Sequence, residues 1–135
     1  MTVNEFFRQF YPADWNSAWE MRSLGSCYGR EYTGTDSSKR IFPPMKCADG
    51  FEMSVQGHFG AYSYPRDDFA ERYDEVEIMC PIEPAFGKGE SCGDKMIYGY
   101  VPVSIVEEVI AAHGGLALQT DTTGAPAARN DGSVS

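Results

Sequence analysis

The residue types that most often carry out chemistry are few in this chain: among 135 residues there are four cysteines and two histidines. A structural zinc site needs cysteine and histidine ligands in closely spaced pairs. The cysteines, at positions 27, 47, 80 and 92, are instead scattered along the sequence. No basic segment followed by an apolar one opens the sequence, so we expect a reducing compartment. We therefore predict no metal site, and free thiols in place of disulfides.

Nucleophilic catalysis has equally little support. A nucleophile needs a neighbouring base, and His58 is the natural candidate. The one Gly-x-Ser-x-Gly string, at 89–93, is not followed directly by a helix N-terminus as a nucleophile elbow would be. The glycine-rich surroundings of His58 indicate a loop residue hydrogen-bonded to backbone. The run at 87–93 lacks the Gly-Lys-Ser/Thr ending of a phosphate-binding loop, which favours a plain flexible loop. We predict that the protein is not an enzyme and uses no cofactor.

Two patterns stand out, and both indicate a binding surface. The first is an acidic run between positions 67 and 83, whose ordinary interpretation is a solvated sheet face. The second is a group of tyrosines with an arginine, which are residue types that often anchor interfaces. Its ordinary interpretation is the tyrosine-rich edge of a core. We predict a partner-binding surface composed of Tyr62, Tyr64, Arg66, Asp67, Asp68, Tyr73, Asp74, Glu75 and Glu77.

The overall charge constrains the partner. The formal net charge is −9, and contacts to phosphate groups require lysine and arginine. Direct binding of nucleic acid or of an acidic membrane is therefore not expected. No stretch approaches the roughly 18 apolar residues that a membrane-spanning helix needs. The expected partner is a protein or ribonucleoprotein complex with a basic surface.

Hydrophobic patterning predicts the elements that would position this surface. Phe51, Met53 and Val55 alternate with polar residues, which is typical of a half-buried strand. The preceding Asp49 and Gly50 favour a hairpin turn. We predict an α+β fold: a small antiparallel sheet of about four strands with two N-terminal helices and one C-terminal helix packed on one face. The predicted strands are 45–47, 51–56, 72–80 and 96–101, and the predicted helices are 3–10, 14–24 and 104–113.

Terminal signals set the limits of these helices and of the domain. Thr2 with Glu5, and Ser104 with Glu107, have the spacing of capping boxes. His113, in the last turn of its helix, is interpreted as a capping or packing residue. Beyond residue 117 no apolar period continues. We therefore predict one domain over 1–117 and a disordered tail over 118–135.

Part of the sequence resembles a group of small accessory proteins of phages and prophages. The resemblance spans roughly residues 46–115 and departs from that group at 57–61 and 86–95. It carries no catalytic signature. It rests on Phe-Glu-Met-Ser-Val-Gln at 51–56, Tyr-Pro-Arg at 64–66, Val-Glu at 76–77, Tyr-Gly-Tyr-Val-Pro-Val at 98–103, Glu-Glu-Val-Ile at 107–110 and His-Gly-Gly at 113–115.

Because small acidic phage accessory proteins often counteract host defences, the resemblance implies an inhibitor. We expect a stoichiometric, anti-CRISPR-like protein that blocks a host defence complex through its acidic surface, in the host cytoplasm. Two alternatives stay open. One is a sponge for a small nucleotide signal, which would use Arg66, Lys39 and Arg40 beside aromatic platforms. The other is a virion or assembly component. The negative charge favours the inhibitor over the sponge, and the oligomeric state is not predicted.

Overall fold

The computed structural model describes residues 1–13, 15 and 40–117 of the chain. The fold is α+β, as predicted, with an antiparallel sheet in the order β1-β2-β3-β5-β4. The predicted count of four strands is wrong, because the described residues form five. The elements are α1 (Val3–Arg8), β1 (Met45–Lys46), β2 (Glu52–Gln56), β3 (Glu75–Cys80), a short 3-10 helix (Pro84–Phe86), β4 (Glu90–Cys92), β5 (Lys95–Pro102) and α2 (Val103–Ala112).

The alternating strands divide the sheet into a buried face and an open face. Val55 of β2 is paired with Ile78 of β3, which is paired with Tyr98 of β5, and all three are at most 1% exposed. Glu75 and Glu77, on the opposite face of β3, are only half-buried. The predicted alternation is therefore confirmed, although β3 begins at Glu75 and not at position 72.

The N-terminal helix closes over the buried face with aromatic side chains. Thr2 and Glu5 form the predicted capping box, and helix α1 places Phe6 and Phe7 in the core. The Phe7 ring stacks on Phe42 with a centroid distance of 4.1 Å. Apart from residue 15, the predicted helix at 14–24 lies outside the described residues, as does the predicted tail at 118–135.

The C-terminal helix starts differently from the prediction. Ser104 does not cap α2, because the chain turns directly from β5 into the helix with Pro102 as its N-cap and no side-chain bond there. Glu107 instead accepts a hydrogen bond from the Val3 backbone N–H at 3.0 Å. The second predicted capping box is therefore wrong, and its glutamate links the two helices.

The run at 87–93, predicted as a flexible loop, contains β4, the strand that was not predicted. Strand β4 pairs with β5 through a two-residue turn of Gly93 and Asp94, which is a hairpin of the shortest common kind. All three residues of β4 are exposed. The absence of apolar alternation in an exposed edge strand explains why the hydrophobic pattern did not reveal it.

The described cysteines are free thiols, with Cys47 and Cys80 buried and Cys92 exposed. Burial and the nearby Asp49 raise the pKa of the Cys47 thiol, so Cys47 behaves as a small apolar core residue. Within the described ranges, no helix is both long and apolar enough to cross a membrane.

His113 joins three parts of the fold. Its Nδ1 lies 2.6 Å from Asp49 Oδ2 in the β1–β2 turn, and its Nε2 lies 3.5 Å from Glu83 Oε1. The ring stacks on Phe51 at 4.1 Å. The hydrogen bond to Asp49, with help from Glu83, raises the pKa of His113. The Phe51 backbone N–H and His113 lower the pKa of Asp49.

We predict that this contact makes the stability depend on pH. A raised histidine pKa adds stability below the unfolded value of 6.5, and this stability is lost as pH rises through the folded pKa. A lowered aspartate pKa adds stability above 3.8, lost as pH falls through the folded value. His113→Phe keeps an aromatic ring on Phe51 but cannot titrate. The melting temperature of His113→Phe should fall furthest below that of the wild type between about pH 4 and 6.5. A difference in melting temperature that is constant with pH would contradict the assignment.

Gly57 is required by close packing rather than by backbone conformation. A Cβ atom there would lie 2.8 Å from the Tyr73 ring, and Tyr73 is fully buried. Gly60 provides a control, since a Cβ there would meet its nearest neighbour, the His58 ring, at an ordinary 3.5 Å. Neither glycine has a positive φ.

We predict that Gly57→Ala destabilises the protein by about 1–3 kcal/mol through overpacking. Gly60→Ala should be neutral or slightly stabilising, because alanine restricts the unfolded chain. Urea denaturation of both variants measures the difference. Equal free energies of unfolding would show that the Tyr73 ring moves aside freely.

Candidate functional site

Three exposed tyrosines gather beside β3 on the open face of the sheet. Tyr62, Tyr64 and Tyr100 are 52%, 61% and 47% exposed, which is unusual for large aromatic side chains near one another. We call this surface the tyrosine patch. It consists of these tyrosines with Arg66, Glu75 and Glu77.

Backbone hydrogen bonds hold the loop that carries Tyr62 and Tyr64 against the sheet. The Tyr62 N–H donates to Glu77 Oε1 at 2.8 Å, and the Tyr100 N–H donates to the Tyr62 carbonyl at 2.9 Å. Tyr64 forms an antiparallel bridge with Glu75. Each glutamate of β3 therefore lies beside one tyrosine of the loop. Because these contacts use backbone atoms, the phenol rings are left to face solvent.

Tyr100 was not among the predicted site residues, and a β-bulge explains its role. The register shifts between Val76 and Ile78, so that Gly99 and Tyr100 together oppose Glu77. Tyr100 has a φ of 53°, which is costly for a bulky residue. The bulge turns its ring toward Tyr62, and the two rings stack at 5.8 Å. Bulges commonly redirect a side chain in this way, and no hydrophobic pattern reveals one.

Gly99 of β5 allows the loop that carries Tyr62 to pack closely against the sheet. A Cβ at Gly99 would lie 3.0 Å from the Tyr62 Cβ, so a larger residue there would push Tyr62 away from the sheet. Gly99 is thus a further residue on which the patch depends, although it contributes no functional group.

Arg66 contacts the Tyr62 ring of the patch. Its guanidinium carbon lies 5.7 Å from the centre of the Tyr62 ring, within reach of a cation–π contact. Tyr62 is therefore in contact with both Arg66 and Tyr100. The Arg66 Nε is buried and has no hydrogen-bond partner. No ion pair of the described residues involves this arginine.

Three predicted site residues are buried and belong to the scaffold. Asp67, Asp68 and Tyr73 are 4%, 1% and 0% exposed. Asp68 accepts from the Phe59 N–H at 2.8 Å and forms an ion pair with Arg40 at 3.4 Å. The prediction that these three side chains are exposed on a binding surface is wrong, because a run of carboxylates in sequence need not follow one sheet face.

The three remaining acidic positions differ in what their carboxylates do. Asp74 is exposed and forms an ion pair with Arg72 at 3.3 Å. Glu77 accepts the Tyr62 N–H. Within the described part of the chain, no hydrogen bond or ion pair engages the carboxylate of Glu75. Glu75 is therefore the carboxylate of the patch most available to a partner.

His58 lies beside the patch but is not suited to act as a base at neutral pH. Burial first, and then the charge of Arg40, lower its pKa to about 4, opposed by Asp68. Its Nδ1 accepts a hydrogen bond from the Gly60 N–H at 3.0 Å. The interpretation as a loop residue bonded to backbone is confirmed.

The chemistry available at the tyrosine patch is that of binding. It combines aromatic rings, one unengaged carboxylate and one cation that already lies over a ring. In the described ranges, no three His, Cys, Asp or Glu side chains form a group that could hold a metal ion. Compared with known protein families, curated proteins and solved structures, the chain matches none of them.

We predict that Glu77 fixes the position of Tyr62 and that Glu75 does not. Glu77→Ala removes the acceptor of the Tyr62 N–H, and a typical hydrogen bond is worth about 0.5–1.5 kcal/mol. Amide exchange at Tyr62 should therefore accelerate about two- to tenfold. Glu77→Gln, which keeps an acceptor oxygen, and Glu75→Ala should change this rate little. Faster exchange in Glu75→Ala would contradict the assignment.

Proposed function

We propose that the protein is a stoichiometric binding protein that attaches to a basic surface of a protein or ribonucleoprotein through the tyrosine patch. The observation that carries the proposal is the grouping of Tyr62, Tyr64 and Tyr100, each about half exposed, around the two glutamates on the open face of β3. Tyrosines in such groups supply much of the energy of protein interfaces. Neighbouring carboxylates steer a basic partner and discriminate against acidic ones.

Within this proposal the residues have separate tasks. Glu75 supplies charge to the partner, Tyr64 and Tyr100 supply buried contact area, and Glu77 and Gly99 position the loop. The net charge of −9 accelerates the encounter with a basic partner at low salt. The sequence resemblance to phage accessory proteins supports a host defence complex as the target and inhibition as the outcome. The host cytoplasm is the corresponding location.

The first experiment uses the full chain as bait in a bacterial lysate and then quantifies binding of the recovered complex. Glu75→Lys and Tyr64→Ala test the patch, and Glu108→Lys is the control, since Glu108 is an exposed glutamate on α2. We predict that Tyr64→Ala weakens binding by about thirtyfold, as expected for a 2 kcal/mol anchor. Glu75→Lys should weaken it at least as much, and Glu108→Lys should bind like the wild type.

Two further measurements test whether charge drives the attachment and whether the attachment inhibits the partner. Binding should weaken as NaCl rises from about 50 to 300 mM, because exposed charges are screened. Activity of the recovered complex should fall to its minimum at one equivalent of the protein. Equal weakening by Glu75→Lys and Glu108→Lys would show that only net charge matters. An unaffected partner activity would overturn the inhibitor proposal.

A second candidate is a sponge for a small nucleotide, and the contact of Arg66 with Tyr62 favours it. Arginine beside an exposed aromatic ring suits a phosphate next to a stacked base. Arg40 is close enough to His58 to lower its pKa, which places a second cation near the same loop. Lys39, the third cation considered, lies outside the described residues. Glu75 and Glu77 repel phosphate, so we rank this candidate second.

Thermal denaturation distinguishes the two candidates. A ligand present at about 100 times its Kd stabilises a protein by about 2.7 kcal/mol. Millimolar cyclic AMP or cyclic di-AMP should leave the melting temperature of the wild type unchanged if the protein-binding proposal holds. A rise of several degrees that disappears in Arg66→Ala would establish the nucleotide candidate.

A further inference from the structure

We propose that the tyrosine patch recognises an arginine side chain of the partner, with its guanidinium stacked on the exposed tyrosine rings and hydrogen-bonded to Glu75. This inference rests on the proposed function and names the chemical group of the partner that the surface recognises. The occupant is an arginine-bearing segment of a protein, and not a lysine-rich or apolar one.

The first argument is the position of the free carboxylate. Glu75 is the bridge partner of Tyr64 on one side and is paired with Pro102 on the other. Tyr100, two residues before Pro102, presents its ring on the same open face, because it stacks on Tyr62. Glu75 is therefore adjacent to Tyr64 on one side, and Tyr100 lies diagonally from it on the other side, opposite Glu77. A group that bonds to this carboxylate can therefore reach the neighbouring Tyr64 ring.

The second argument is that the patch already places one guanidinium over a tyrosine ring. Arg66 lies over Tyr62 at 5.7 Å without an ion pair to any described carboxylate. An arginine without an ion-pair partner among the described residues thus already lies over a ring of the patch. The Tyr64 ring makes no ring contact among the described residues and is 61% exposed. It offers a second guanidinium the contact that Tyr62 gives to Arg66.

The third argument is charge and shape. A guanidinium is planar and weakly hydrated, so it stacks on a ring and bonds a carboxylate through its edge at the same time. A lysine ammonium is a compact, strongly hydrated charge that gains less from a tyrosine face. The net charge of the chain, −9, attracts arginine and lysine side chains alike. Specificity for arginine must therefore come from the rings.

The test uses the full chain and three fluorescein-labelled peptides that are identical except at two positions separated by one serine. These positions hold arginine, lysine or citrulline, the last being an uncharged analogue of arginine. Fluorescence anisotropy at about 50 mM NaCl measures each Kd. Cation–π contacts of about 0.5–2 kcal/mol correspond to factors of about two to thirty. We expect the arginine peptide to bind about tenfold more tightly than the lysine peptide, and the citrulline peptide to bind weakest.

Variants of the protein locate the effect. Tyr64→Leu and Tyr100→Leu keep an apolar side chain but remove the ring, and together they should equalise the arginine and lysine peptides. Glu75→Gln should weaken both charged peptides, and Glu108→Gln should weaken neither. Circular dichroism and the melting temperature confirm that each variant is folded.

The outcomes separate this inference from the function on which it rests. Equal binding of the arginine and lysine peptides to the wild type, or no binding of either, would overturn arginine recognition. So would an arginine preference that survives in the double leucine variant. The proposed function fails instead if the partner recovered from the lysate is held equally well by the wild type and by Glu75→Lys. A lysate partner that depends on Glu75, together with peptides that bind equally, would retain an acidic docking surface without arginine selectivity.

Discussion

The fold depends on the burial of Tyr73, which ties the N-terminal helix to the loop that carries the tyrosine patch. Its backbone N–H donates to Asn4 Oδ1 at 2.8 Å, and its carbonyl accepts from Asn4 Nδ2 at 3.0 Å. Its hydroxyl donates to the Asp67 carbonyl and accepts from the Ala70 N–H. Because Tyr73 is fully buried, these polar atoms cannot hydrogen-bond to water, and leaving them unpaired would cost free energy. Burial accordingly raises the pKa of Tyr73 well above its usual value, so the hydroxyl keeps its proton.

This anchor determines which acidic residues reach the surface. The turn over positions 67–70 wraps around the Tyr73 hydroxyl, and it takes Asp67 and Asp68 inward with it. The chain then enters β3 at Glu75, where strand alternation alone directs the carboxylates outward. The buried Tyr73 and the exposed Tyr62 and Tyr64 therefore occur in one sequence region, and burial is what distinguishes them.

The sequence was informative where one local rule decided the structure. The alternation around Val55, the capping box at Thr2 and the hairpin at Gly50 were predicted because each depends on neighbouring residues alone. Two of the three tyrosines of the patch and both of its glutamates were predicted from residue type. Tyr100 was missed because its orientation depends on a bulge, and Tyr73 was misassigned because its partner Asn4 is distant in sequence. Such long-range contacts leave no periodic signal.

The open face of the sheet also implies that substitutions at the patch should disturb the core little. Val55, Ile78 and Tyr98 stabilise the fold from the buried face, so the opposite face carries Glu75 and the exposed rings at little cost to the core. Glu77 is the exception, because its carboxylate both faces outward and holds the Tyr62 backbone. Charge reversal at Glu77 would thus disturb the loop as well as any partner contact. Charge reversal at Glu75 changes the surface alone, so Glu75 is the position at which the proposed recognition can be tested apart from folding.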